Sequence, residues 1–221
     1  VELAANAAGE RKDVYNKLMT GLCQMKDIRN SLRRCAAGET PDHVELFEIK
    51  GYLQRLDGMR PLFEQINAVT HFKGMTFHEV KDALAVLDPD GTGSRGFYIP
   101  DSATTKLKEI RSAKKEVEER LFHAQTDAEK DDLRLKRTRL CGEEDAEEMH
   151  VRKAMGAALA PMVDDLLSDA ETAGRLDFII QKALFAVRYG GVKPELTEKD
   201  LELEDMINPE ICDCLLYTSP S

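Results

Sequence analysis

Apolar residues at Leu107, Ile110, Val117, Leu121, Ala124 and Ala128 are spaced 3, 7, 4, 3 and 4 along the chain. A half-buried strand shows an apolar side chain at every second residue. This run instead follows heptad spacing, which lines its side chains along one stripe of a helix. Lys114 takes the one polar slot in the seam. The seam fails after Ala128, where Asp131 falls on it, while Leu133, Leu135 and Leu140 continue a helical pattern. The spacing predicts a helix from about Ala103, capped by Asp101 or Ser102. Roughly thirty helical residues at ~1.5 Å each would span about 50 Å, more than a globular fold needs, so the segment is expected to project as an arm. Cys141-Gly142 is the expected turn. A return helix from about Glu143 would carry Val151, Met155, Ala158, Met162 and Leu166 on one face.

The helical period recurs upstream. Val14, Leu18, Leu22, Met25, Ile28, Leu32 and Cys35 predict one helix over 10–36, ended by Gly38. Thr40 and Pro41 read as the N-cap and first position of the next helix. That helix runs to about Leu56, with Val44, Phe47, Tyr52 and Leu56 inward, and Arg60-Pro61 opens another through Val69. Gly74 breaks it. Thr76-Phe77-His78-Glu79 reads as a capping box for a helix ending near Leu87. Residues 88–100 form a Gly-, Asp- and Pro-rich loop with a short strand at 97–99. A last helix spans Glu171 to Tyr189 and stops at Gly190-Gly191. Alternation over 200–205 then predicts the start of a strand.

The expected fold is therefore all-α, a helical bundle with a projecting antiparallel helical arm. Residues 1–102 form the first part of the bundle, 103–170 the arm, and 171–193 a returning helix. Residues 194–213 lead toward a further domain. Residues 214–221, Cys-Leu-Leu-Tyr-Thr-Ser-Pro-Ser, resemble a translated sequencing adapter and are set aside.

Charged residues make up 33% of the chain and aromatics 6%, with no Trp, so the core must be built from Leu, Ile, Val, Met and Ala. No apolar run approaches the roughly 18–20 residues of a membrane span, so no membrane partner is expected. A net charge of −10 argues against a simple basic nucleic-acid module. Five cysteines, an odd number and widely spaced, read as free thiols in a reducing, cytoplasmic compartment. Cys212-Asp-Cys214 is too tight for zinc spacing.

Two motifs fail on context. Gly91-Thr-Gly-Ser-Arg-Gly96 matches G-x-G-x-x-G, but a helix precedes it and Phe97-Tyr98-Ile99-Pro100 follows, the reverse of a dinucleotide site. Asp88-Pro-Asp-Gly-Thr-Gly resembles a calcium loop, but its twelfth position is Ile99, which cannot coordinate. His43, His71, His78, His123 and His150 are scattered. The adjacent carboxylates of Asp164-Asp165 and Glu143-Glu144-Asp145 read as solvated faces. No catalytic residue, cofactor site or metal site is expected in this stretch.

Residues 101–140 hold eleven Lys or Arg and nine Asp or Glu, a local excess of cations in an acidic chain. Lys130, Arg134, Lys136, Arg137 and Arg139 cluster near the expected tip. They are the candidate DNA contacts, because such side chains neutralise phosphates and release counterions. The acidic run from Glu143 to Glu148 opposes this.

Three stretches, in order, resemble the MutS family of DNA mismatch-repair and recombination ATPases. They are Val44-Glu-Leu-Phe-Glu-Ile-Lys-Gly-Tyr-Leu53, Phe97-Tyr-Ile-Pro-Asp-Ser-Ala-Thr-Thr-Lys-Leu-Lys-Glu-Ile-Arg111 running into Leu121, and Leu176-Asp-Phe-Ile-Ile-Gln-Lys-Ala-Leu-Phe-Ala186 followed by Val192-Lys-Pro-Glu-Leu196. They are similar to the family's helical core, the helix that leaves it as a clamp arm, and the helix that returns toward the ATPase domain. Asn208 departs from the His-Pro dipeptide of many relatives. The best fit is the bacterial branch without the N-terminal mismatch-reading domain. The resemblance implies a lever that couples ATP state to DNA grip in a cytoplasmic, nucleoid-associated parent. That parent would use ATP and Mg and dimerise through an ATPase domain downstream of residue 213. A helical coiled-coil adaptor, pairing through the Leu107–Ala128 seam, is the alternative.

Overall fold

The structure, a computed structural model, describes residues 12–193 and 206–212. The fold is all-α, with seven helices over the described residues: α1 (Lys12–Cys23), α2 (Arg29–Ala36), α3 (His43–Thr70), α4 (Lys81–Leu87), α5 (Thr105–His123), α6 (Asp127–Leu159) and α7 (Val163–Arg188). Short 3-10 turns at Asp101–Ala103 and Ala160–Met162 precede α5 and α7. No strand forms among the described residues, so residues 97–99 are loop, with Ile99 buried. The strand expected at 200–205 and the segment 214–221 lie outside the described residues.

The stripe expected as one helix over 10–36 is two helices. Gln24 and Met25 close the last turn of α1 with bonds to Gly21 and Leu22 carbonyls. The Asp27 carboxylate then accepts from the Arg29 backbone N–H and guanidinium, opening α2. Those bonds hold Asp27 down to about 2. The stripe survives the break because Leu18, Leu22, Ile28, Leu32 and Cys35 all reach the same core. At the end of α2, Gly38 takes φ +78°, and Glu39 N–H bonds the Arg34 carbonyl.

Helix α3 starts two residues later than expected. Asp42, not Thr40, is the N-cap, and it forms a reciprocal capping box with Glu45. The helix also runs straight through Pro61. A proline inside a helix costs about 3 kcal/mol. Met59, Phe63 and Ile66 on either side of it are buried, and each contributes roughly 1.5–3 kcal/mol, so burial wins. The inward face is Leu46, Ile49, Leu53, Leu56, Phe63 and Ile66, with Tyr52. Val44 and Phe47, expected inward, are exposed.

Residues 75–80 do not cap a helix. Met75, Phe77 and Val80 are buried, and α4 begins only at Lys81. The competing interaction is tertiary: His78 N–H and Nδ1 both meet Asp169 Oδ1 on α7, at 3.0 and 2.8 Å. The last two helices also differ from expectation. Ala160-Pro161-Met162 separates α6 from α7, α7 begins at Val163, and Leu159, not Ala158, faces the core.

The arm departs most from its predicted form. The turn lies at Ala124–Thr126, and α6 passes through Cys141-Gly142 without a break. Thr126-Asp-Ala-Glu129 is a cap signature, and Thr126 Oγ1 accepts the Glu129 N–H. Gly142 sits in open space inside the helix, where it costs about 1 kcal/mol relative to Ala but breaks nothing. Helix α5, at ~1.5 Å per residue, gives an arm of about 28 Å rather than 50 Å.

Candidate nucleic-acid interface and its anchorage

The arm is a two-helix hairpin of α5 and α6 with a core of its own. Ile110, Val117, Leu133 and Leu140 are buried against one another, with Ala113, Leu121 and Ala124 half-buried beside them. Leu107, one turn back, belongs to the main core instead. Of the expected seam, Ala128 is exposed, because α6 has already begun there. Leu135 is exposed as well.

A dense polar network fixes the hairpin where it joins the bundle. Arg111 bonds Asp101 at 2.5 Å, Glu144 at 2.9 Å, Glu148 at 2.7 Å and the Ile99 carbonyl at 2.8 Å. Its guanidinium also lies 4.7 Å from the Tyr98 ring centre. Partial burial opposes its charge, but bonds to Asp101, Glu144 and Glu148 outweigh this and raise its pKa above the ordinary arginine value. Lys114 pairs with Glu144. Burial pushes the Glu144 carboxyl up, and Lys114 and Arg111 together pull it below the ordinary glutamate value. Thr104, the N-cap of α5, also donates to Glu147, which Lys106 meets at 3.0 Å. His43, at the start of α3, reaches Glu148 at 3.2 Å and ties the network to the bundle. The sequence places Glu143-Glu144-Asp145 on a solvated face. Glu144, with Glu147 and Glu148 beyond it, instead binds the arm in place. The available signal was the i,i+4 pair Glu144 and Glu148 opposite Arg111, visible only once the hairpin register is known.

The five candidate cations all lie on α6, beyond this network. Arg134 pairs with Asp131 at 3.1 Å, and Arg137 crosses the hairpin to Glu118 at 2.8 Å. Lys130 is half-buried, and Lys136 and Arg139 are exposed. They do not converge on one face. At 100° per residue, Lys130, Arg134 and Arg137 share one stripe, while Lys136 and Arg139 fall on another.

The Gly-rich loop 91–96 holds an anion of its own. Asp88 accepts from the backbone N–H of Thr92 and Gly93 and from the Thr92 hydroxyl. The amides that would cradle a phosphate are thus taken by a carboxylate. Lys50, buried on α3, lies 3.5 Å from Asp88 and donates to the Gly96 carbonyl. The loop is a packed closure against α3.

A second buried polar group joins α7 to the 75–80 segment. Asp169 is wholly buried, and its Oδ2 and the Tyr52 hydroxyl have no hydrogen-bond partner. Burial pushes Asp169 up, with the His78 bonds offsetting part of that. The same bond raises His78. Among the described residues no three His, Cys, Asp or Glu side chains stand close enough to hold a metal ion. No helix there is long and apolar enough to cross a membrane. No protein-family model matches the chain, and no curated protein matches it.

Proposed function

We propose that this chain is the lever and arm of a MutS-like, DNA-handling ATPase, in which the hairpin contacts DNA and the bundle relays the nucleotide state of a downstream domain. The observation that carries the reading is the anchorage of the hairpin. Arg111 joins α5 to α6 through Glu144 and Glu148 and bonds the carbonyl of buried Ile99, and His43 of α3 meets Glu148, so a self-packed arm is tied to the bundle and a rotation at one end moves the other end as a rigid body. The ordered resemblance of the three sequence stretches supports the same reading. ATP and Mg would belong to the parent protein, which would dimerise through its ATPase domain in the cytoplasm. An adaptor pairing through the seam has less support, because Ile110 and Val117 are already covered within the hairpin.

Two measurements test this. Gene sequence 3′ of codon 213 is expected to encode a strand followed by G-x-x-x-x-G-K-[ST] within about 50 residues. A long reading frame without that motif overturns the proposal. Changing Arg134, Lys136, Arg137 and Arg139 together to Glu is expected to abolish salt-sensitive duplex binding. Undiminished binding would move the DNA surface off the arm.

A further inference from the structure

The last turns of α7 are thinly covered. Up to Ile180 the helix keeps a buried line that includes Leu166, Ala173 and Leu176. Beyond Ile180 none of its residues is buried, although Leu184 still touches the core. Residues 178–189 nonetheless stay apolar around most of the helix, with Gln181, Lys182 and Arg188 as the only amide or charged side chains. A helix apolar on all sides belongs inside a structure rather than in water. Phe178 and Phe185 are 64% and 54% exposed. They stand at i and i+7 with Lys182 between them, its Nζ 5.3 Å from the Phe178 ring centre. From Phe178 to Lys193 the chain carries three cations and no carboxylate.

A second uncovered apolar group lies farther along. Asn208 Oδ1 accepts the Glu210 N–H at 3.0 Å, and the Asn208 carbonyl accepts the Cys212 N–H at 3.1 Å. Asn208 thus caps a helical turn over 209–212, with Pro209 in the first position. Met206, Ile207 and Ile211 around this cap are 74%, 50% and 57% exposed. Residues 200–213 hold six carboxylates and no cation. One chain therefore presents two bare apolar groups of opposite charge. The connection between them, residues 194–205, can span up to about 40 Å, whereas Arg188 lies only about 15 Å along the helix from Phe178.

We propose that residues 206–212 are a strap that docks on the distal face of α7, with Ile207 and Ile211 over Phe178 and Phe185 and the acidic flank of the strap around Lys182. A second copy's α7 is a poorer cover, because face-to-face pairing sets Lys182 and Arg188 against like charges. The short connection also holds the strap near its own helix at an effective concentration on the order of mM. Closure ties the chain that follows α7 to α7 itself, and it does not depend on the DNA reading above.

The chain has no Trp, so I211W places a single fluorescent reporter in the strap of the full chain. Its emission is expected to lie to the blue of the urea-unfolded protein, with acrylamide quenching several-fold lower, at every protein concentration tested. F178S/F185S/I211W is expected to lose both signs of burial, and K182E/I211W to lose part of them. Phe178 and Phe185 are exposed, so circular dichroism melts of these variants should match that of I211W. Red, freely quenched emission from I211W overturns the strap. Blue emission that grows with protein concentration assigns the face to a second copy and overturns it too. Blue emission that survives in F178S/F185S/I211W puts the strap on some other surface, which also overturns the proposal.

Discussion

The bundle and the arm bury apolar side chains in different company. In the bundle, one continuous core draws on α1 to α7 and on loop residues such as Met75, Phe77 and Ile99. In the outer arm, four buried residues from two facing helices, with Ala113, Leu121 and Ala124 half-buried beside them, form a small core of their own. A bundle residue is therefore held by many distant segments. An arm residue is held by its hairpin partner and by the polar network at the arm's base. Regions with few buried contacts open locally at free energies below that of global unfolding. The outer arm is therefore expected to open at a lower free energy than the bundle, while its base stays held by the polar network.

Core truncation should separate the two regions most strongly. Leu176→Ala, at a fully buried bundle position, is expected to cost roughly 2–5 kcal/mol of global stability in chemical denaturation. Val117→Asp in the arm is expected to strip hydrogen-exchange protection from residues 110–140 while bundle amides keep theirs. Equal loss in both regions would show that the arm and bundle fold as one cooperative unit.

The polar anchorage comes next in size. Arg111→Met leaves Glu148 and Asp101 without their guanidinium and Glu144 with Lys114 alone, and about 2–3 kcal/mol should be lost. Distances between spin labels on the arm turn and on α3 should broaden at the same time. A melt unchanged from the unaltered protein would make the network incidental to arm placement.

Two glycines on the same helix should respond with opposite sign. A Cβ on Gly156 would come 2.9 Å from Pro41 Cδ in the bundle, so Gly156→Ala is expected to destabilise by about 1–3 kcal/mol. Gly142 in the arm has open space around it, so Gly142→Ala is expected to stabilise by roughly 0.5–1 kcal/mol. Thermal melts of the pair read the difference directly.

The smallest effect expected is a divergence with pH. Glu144 in the arm is held below its ordinary value. The stability it contributes is present above the ordinary glutamate value of 4.5 and is lost as pH falls below it. His78 in the bundle is raised. Its contribution is present below the ordinary imidazole value of 6.5 and fades as pH climbs through the folded value. Asp169 is raised as well, so it acts in the same direction as His78 but in the acid range. Acid should therefore loosen the arm's base, and mild alkali the His78–Asp169 tie. Hydrogen exchange at two pH values, with Glu144→Gln and His78→Asn as controls, would show whether each response follows its own residue.

The DNA-contact candidates were legible as residue types and not as a surface. Lys130, Arg134, Lys136, Arg137 and Arg139 could be picked out by density alone. Their division between two edges depends on where the hairpin turns. A turn at Cys141-Gly142 would have placed all five just before the tip of a longer arm. The turn at Ala124–Thr126 puts them on the return helix and sets Arg137 beside Glu118. The weakness of Gly142 as a breaker is physical: an interior glycine costs about 1 kcal/mol, which the neighbouring turns of a long helix outweigh.

By itself, the sequence determined that the chain is helical, because apolar residues recur at three and four along most of its length and because few aromatic or β-branched runs oppose them. It also determined the positions of Gly38 and Gly190 as helix ends, since a left-handed backbone is a local property of the residue. Only the tertiary structure decided where helices break and where they continue. Pro61 stays inside α3 because the core on both sides of it holds. It alone decided that Thr76 would not cap, since His78 N–H is held by a carboxylate from α7. Local signals compete at energies near 1 kcal/mol, and packing contributes several times that at each buried side chain, so packing sets the boundaries.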